Sequence, residues 1–181
     1  MHKSLAALAA GILIASTLPF ATAGGADVAR YPLPGGSKFP IARAVVVPAG
    51  FTLIFHSGFT AEPADPKAKP GTPAYWGDTK TQTVSVFKQM QQSLKGMGLT
   101  LGDVVKMNVF LVADPGTGHM DFSGFMQGYT QFFGTPAQPN LPARSAVQVA
   151  GLAAPGALVE IELVLAQRGT ARATPATTPT P

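Results

Sequence analysis

Residues 139–165 read PNLPARSAVQVAGLAAPGALVEIELVL. The stretch reads as two β-strands joined by a Gly/Pro/Ala-rich connection. The first opens on Arg144, directly after a proline turn. In the second, Glu160 and Glu162 alternate with Val159, Ile161, Leu163 and Leu165. That period of two puts both carboxylates on one face, about 7 Å apart by strand rise. The chain contains three glutamates, and two of them are here.

Upstream, VVKMNVFLV over 104–112 is a third strand, with Val105, Met107, Val109 and Leu111 forming one apolar face. Between it and Pro139, Asp121 is placed to cap a helix with apolar positions Phe122, Phe125, Met126, Tyr129, Phe132 and Phe133, stopped by Gly134 and Pro136. A longer helix is expected from Asp78 to Met97. Thr79 and Gln82 form its capping box, Val84, Phe87, Met90, Leu94 and Met97 its buried stripe, and Gly98 its terminator. The glycines near 96–102 have the wrong spacing for a phosphate loop and close a helix where that motif opens one.

Two further β-rich runs, 44–47 and 51–57, flank Pro48-Ala49-Gly50 and are expected to form a hairpin. Gly58 allows a bulge or a close approach of another group to the backbone. Residues 61–77 read as a surface loop whose single tryptophan, Trp76, covers an edge or pocket. The order is hairpin, helix, strand, helix, strand, strand. This is an α+β layer, a mixed sheet with two helices on one face. The other face is left to solvent or to association, and the low charge content favours association.

Of the 181 residues, 12% are charged, 46% are hydrophobic, and the formal charge is +4. An average soluble protein carries roughly 25% charged residues. The lysines are scattered and not interleaved with aromatics, so no nucleic-acid partner is expected. Cysteine is absent, which excludes disulfides, thiolate catalysis and cysteine metal sites. Residues 1–23 have the pattern of a signal peptide: His2 and Lys3, an apolar run from Leu5 to Phe20, then Ala21-Thr22-Ala23. The mature protein is therefore expected to be periplasmic or secreted, with no membrane association after cleavage. Residues 24–37 read as an irregular lead-in, 38–167 as the domain, and 168–181 as a disordered Thr/Ala/Pro-rich tail.

His56-Ser57 and His119 with Asp121 do not make a triad, since no G-x-S-x-G elbow is present. The histidines also lack metal-site spacing, so no metal is expected. Arg144 is open to two readings. A guanidinium at the start of a strand suits bidentate recognition of a carboxylate, or its stem covers apolar surface at an edge. Glu160 and Glu162 are likewise suited to acid/base work or to a solvated strand face.

Taken together, Pro142-Ala143-Arg144-Ser145, Val147-x-Val149-Ala150-Gly151-Leu152 and Leu158-Val159-Glu160-Ile161-Glu162 resemble the C-terminal signature of the RidA (YjgF) family. Phe55-His56-Ser57-Gly58, Gly77-Asp78-x-x-x-Gln82-Thr83, Leu99-x-Leu101-Gly102-Asp103-Val104-Val105-Lys106 and Tyr129-x-x-Phe132-Phe133 are similar to further blocks of it. The resemblance covers roughly residues 38–166. It implies a chorismate-mutase-like subunit in a homotrimer, with clefts between neighbouring subunits. It also implies hydrolysis of reactive 2-imino acids to 2-oxo acids and ammonia, without a cofactor. By position, Arg144 would clamp the substrate carboxylate, Glu160 would position the attacking water, and Ser57 with Gly58 would line the cleft. Where the family has a cysteine, a tyrosine and an asparagine, this chain has Ala146, Ile41 and Met126. The implied cleft is more apolar, fitting a bulkier substrate or ligand binding alone. Ribonuclease activity, sometimes ascribed to the family, has neither a histidine pair nor a basic groove to support it here.

Overall fold

The computed structural model describes residues 26–169. The signal-peptide pattern at 1–23 and nearly all of the expected tail lie outside the described residues. Six strands form one mixed sheet: β1 (Ala29–Pro32), β2 (Ala42–Val46), β3 (Phe51–Thr60), β4 (Val104–Val112), β5 (Ala143–Val149) and β6 (Val159–Arg168), in the order β1-β2-β5-β4-β6-β3. β5 runs parallel to β4 and β2, and the other neighbours are antiparallel. A short helix α1 (Pro73–Trp76) precedes the long α2 (Thr79–Gly96), and α3 (Phe122–Tyr129) follows β4. The expected fold class, a mixed sheet with two main helices on one face, is the one found. Among the described residues no helix is long and apolar enough to cross a membrane.

The alternation in β4 holds from Met107 onward. Met107, Val109 and Leu111 are buried beneath the helices, Met107 and Val109 pairing with Leu163 and Ile161 of β6, but a register shift between Val104 and Lys106 puts Val104, opposite Leu165, in that core in place of the expected Val105. Phe87, Met90 and Leu94 of α2 pack there with Phe125 and Tyr129 of α3. Asp121 caps α3, its Oδ1 accepting from the Gly124 amide at 2.8 Å.

Four further expectations are corrected. First, the 44–47 and 51–57 strands form no hairpin, because β5, β4 and β6 lie between them. Pairing with β2 would offer β3 a five-residue partner, whereas β6 offers ten and is used along its length. Second, the lead-in is not irregular, since Ala29–Pro32 is an edge strand on β2. Arg30 anchors it by donating to the carbonyls of Val104 (2.8 Å), Leu141 (2.8 Å) and Gly102 (3.1 Å). The domain also extends one residue further than expected at the other end, since Arg168 closes β6 and pairs with Asp27. Third, no capping box opens α2. Asp78 is the cap, accepting from the Thr81 amide at 2.7 Å, and Gln82 turns inward. Fourth, the stripe of α2 is rotated, with Val86 buried while Val84 is half-buried and Met97 exposed.

The face without helices carries Leu53, Phe55 and Val147 in the open, with Phe55 77% exposed. Phe55 pairs with Val164 and Val147 with Phe110 on this face, and between these two apolar pairs lie Lys106, Asn108, Glu160 and Glu162.

Candidate active site

Arg144 pairs with Met107 in the β4–β5 register, and Met107 pairs with Leu163. Its side chain therefore leaves the sheet on the helix face. There Phe122, Phe125 and Tyr129 of α3 and Phe39, from the segment before β2, surround the guanidinium. Their ring centroids stand 5.8, 5.0, 4.4 and 5.5 Å from its central carbon. Such rings attract a cation through their negative faces. Nη2 donates to Met126 Sδ at 3.3 Å. Nη1 is buried with no partner, the one such side-chain atom among the described residues. Tyr129 stays a phenol, since burial raises its pKa well above the ordinary value. Its hydroxyl donates to Pro40 O at 2.8 Å, holding the 39–41 segment over the cage. Burial lowers the pKa of Arg144, opposed by Tyr129, yet an arginine remains charged. The result is a desolvated cation with an idle donor and no carboxylate beside it among the described residues. A buried charge in that condition is costly unless an anion is brought to it.

Glu160 lies on the opposite face. It pairs with Phe110 and with Thr60, just past a bulge between His56 and Phe59 of β3. Gly58, in that bulge, admits the carboxylate: a Cβ there would stand 2.3 Å from Glu160 Oε1. His56 fixes the bulge from the helix side. Its Nδ1 faces Ser57 O at 2.9 Å and its Nε2 faces Ser93 Oγ of α2 at 3.0 Å. Bonding the carbonyl of Ser57, this ring is not aligned on the Ser57 hydroxyl. Glu162, two residues along the same face, accepts from Asn108 Nδ2 at 2.6 Å. Glu160 has no such side-chain partner among the described residues, which leaves it the more available base.

The candidate residues thus fall into two groups. Arg144, Met126 and Ala146 share the helix side with the segment holding Ile41. Ala146 sits half-buried against the core opposite Val109, and Ile41 lies just past the Pro40 carbonyl that Tyr129 holds. Ser57, Gly58 and Glu160 gather at the bulge on the other side. Within one chain Arg144 and Glu160 do not meet. Sequence reading missed the cage itself: Phe122, Phe125 and Tyr129 were visible as an apolar stripe, but nothing local pointed them at an arginine. It missed His56 as the support of the bulge too.

A sequence model of the family described as endoribonuclease L-PSP matches residues 46–167. The chain belongs to this family, which includes the Rid, YjgF and RutC proteins. A RutC family protein of Pyrococcus horikoshii is 34% identical to this Rid-family chain over 88 residues, 49% of this chain and 62% of the relative. The chain thus spans under two thirds of that relative's length. Among solved structures, a conserved Rid-family protein of unknown function from Yersinia pestis superposes with a TM-score of 0.56 at 20% identity, covering 76% of this chain and 98% of its own. That likeness shows the fold. TdcF of E. coli, crystallised with bound serine, has a TM-score of 0.50 at 28% identity, covering 76% of this chain and 94% of TdcF.

Proposed function

We propose that this Rid-family protein is an imine/enamine deaminase that hydrolyses 2-imino acids to 2-oxo acids and ammonia. The observation that carries the reading is Arg144, a caged guanidinium with a buried Nη1 and no carboxylate beside it among the described residues. A ligand carboxylate is the species that satisfies it. The serine held by TdcF, an amino acid, belongs to the same carboxylate-bearing class.

The two-sided arrangement also supports the proposed homotrimer. A cleft that needs both Arg144 and Glu160 has to take them from different subunits, with the open face that carries Glu160 and Phe55 of one subunit set against the Arg144 side of the next. In such a cleft the 2-iminium carboxylate binds Arg144 of one subunit. Glu160 of the next takes a proton from water as the oxygen adds to the imine carbon, giving a carbinolamine. The proton then passes to nitrogen, Glu160 takes the hydroxyl proton as the C–N bond breaks and the 2-oxo group forms, and that proton goes to the departing ammonia, which leaves as ammonium. No cofactor enters this balance. A protonated imine is already electrophilic, so orientation and one polarised water carry the rate. Phe39, Ile41, Met126 and Ala146 make the arginine side of the cleft apolar, which suits side chains bulkier than those of alanine or serine. The export pattern of residues 1–23 supports a reaction in the periplasm or outside the cell.

The test is release of 2-oxo acid from imines generated in place by an amino-acid oxidase. The protein is expected to accelerate it, and Arg144→Ala and Glu160→Gln to abolish the effect. No acceleration across several amino-acid-derived imines refutes the deaminase. Arg144-dependent thermal stabilisation by 2-oxo acids without turnover would instead establish the second reading, a trimeric protein that binds a carboxylate ligand or a partner without catalysis.

A further inference from the structure

A second concave site lies away from both halves of the proposed cleft. It is a cavity of about 540 Å3 at the end of the sheet where β4 and β5 finish and β6 begins. That volume is in the range of small-molecule sites. None of the residues that line it belongs to the Arg144 cage or the Glu160 bulge.

The walls are joined to one another without any ligand. Gln82, fully buried, donates Nε2 to Gly77 O at 3.0 Å and accepts from the Leu158 amide at 2.8 Å, tying two sides together. Trp76 Nε1 donates to Pro155 O at 2.9 Å on a third side. The backbones of Gly71 and Gly156 meet so closely that a Cβ on Gly156 would stand 2.5 Å from Gly71 O. A side chain on residue 156 would separate them. A cavity held in this way loses little freedom when it binds.

The lining is mostly apolar, including Val112, Leu152 and Leu158, and its only ionisable side chains are Asp78 and Asp114. Asp114 uses Oδ1 on the Gly116 amide at 2.8 Å, and Asp78 uses Oδ1 on the Thr81 amide at 2.7 Å and is bonded by the Thr81 side chain as well. An ionised carboxylate has about four acceptor positions, so both keep capacity for a donor. Lys80 lies near enough to Asp78 to favour its charged form but does not line the cavity; the two negative groups on apolar walls, Asp114 foremost, select against anions and for a positively charged head.

We propose that this cavity binds a small organic amine, its aryl or alkyl body against Val112, Leu152 and Leu158 and its ammonium toward Asp78 and Asp114. Charge distinguishes it from the Arg144 site, which calls for an anion, and its existence does not depend on deaminase activity.

Trp76 is the chain's one tryptophan and bonds a wall of the cavity, so its fluorescence reports occupancy. The full chain is titrated with 2-phenylethylamine, 2-phenylethanol and 3-phenylpropanoate, near-isosteres of different charge. The amine is expected to give a saturable change at about tenfold lower concentration than the alcohol, and the carboxylate the weakest. In the double variant Asp78→Asn, Asp114→Asn, which keeps the helix cap and the turn bonds, the amine should fall to the level of the alcohol. Imine turnover, if present, should be unchanged. Equal binding of all three probes, no saturable response, or an amine preference that survives in the double variant overturns the proposal.

Discussion

Replacing Arg144 with methionine separates a recognition role from a packing role. Methionine keeps the apolar stem among Phe39, Phe122, Phe125 and Tyr129 and removes the charge. Two opposed terms decide the stability of the unliganded protein. The nearest rings, at 4.4 and 5.0 Å, contribute roughly 1–3 kcal/mol together through cation–π attraction. The buried, unpartnered Nη1 costs about 1–3 kcal/mol. They nearly cancel, so unfolding free energy should change by no more than about 1 kcal/mol, or roughly 4 °C in Tm for a domain of this size. Ligand binding has no such compensation. Losing a desolvated arginine–carboxylate pair costs about 2–4 kcal/mol, a fall of about 30- to 1,000-fold in affinity. Urea unfolding of the free protein and calorimetric titration with 4-methyl-2-oxopentanoate measure the two effects. A stability loss of about 3 kcal/mol or more would make Arg144 a core element and refute the reasoning, as would undiminished binding.

Gly58→Ala should leave stability within about 1 kcal/mol, because the new Cβ meets only the end of the flexible Glu160 side chain. Displacing that carboxylate should lower kcat about ten- to hundredfold while 2-oxo acid binding persists; unchanged kcat would remove Glu160 from the mechanism. Gln82→Leu leaves the Leu158 amide and the Gly77 carbonyl without their partner and should cost about 2–5 kcal/mol in urea unfolding, so an unmoved midpoint would contradict the assigned bonds. Phe55→Glu puts a charge at the most exposed aromatic of the open face and should dissociate the proposed trimer, read by light scattering; a variant that stays trimeric places the interface elsewhere. The Thr81 amide, then its side chain, holds the Asp78 pKa below its ordinary value of 3.8. The cap's charge contribution is therefore full above that value and lost as pH falls through the lower, folded one. Asp78→Asn should flatten this acid-side slope of Tm against pH, and an identical slope would assign it to other carboxylates.

Local pattern was enough for β4 from Met107 onward, where methionine, valine and leucine alternate into the core as read, and for α3, where Asp121 caps a run of aromatics. It failed where the partner of an element is decided far away in the chain. The residues of β2 and β3 have strand character and a turn between them, yet β6 offers β3 a longer ladder than β2 can. β1 has four residues, no alternation and a proline, so its only signal is Arg30, whose three carbonyl partners lie more than 70 residues away. The site shows the same limit. Arg144 and Glu160 stand on different strands, and which face each takes depends on how both register against β4. Parity within either strand says nothing about the other. Their separation becomes visible only when Met107 is seen beside Arg144 and Phe110 beside Glu160.

The stitching of Asp27 to Arg168, and of the Gly169 amide to Gly50 O at 2.9 Å, brings both ends of the described chain to one corner of the sheet. The amine cavity opens at the other end of β6, about 30 Å away by strand rise. A tether joined at residue 26 or at residue 169 would therefore hold the domain in the same orientation, with that cavity turned away from the support. The choice between an amino-terminal and a carboxy-terminal fusion is then free on a sensor surface that reads Trp76.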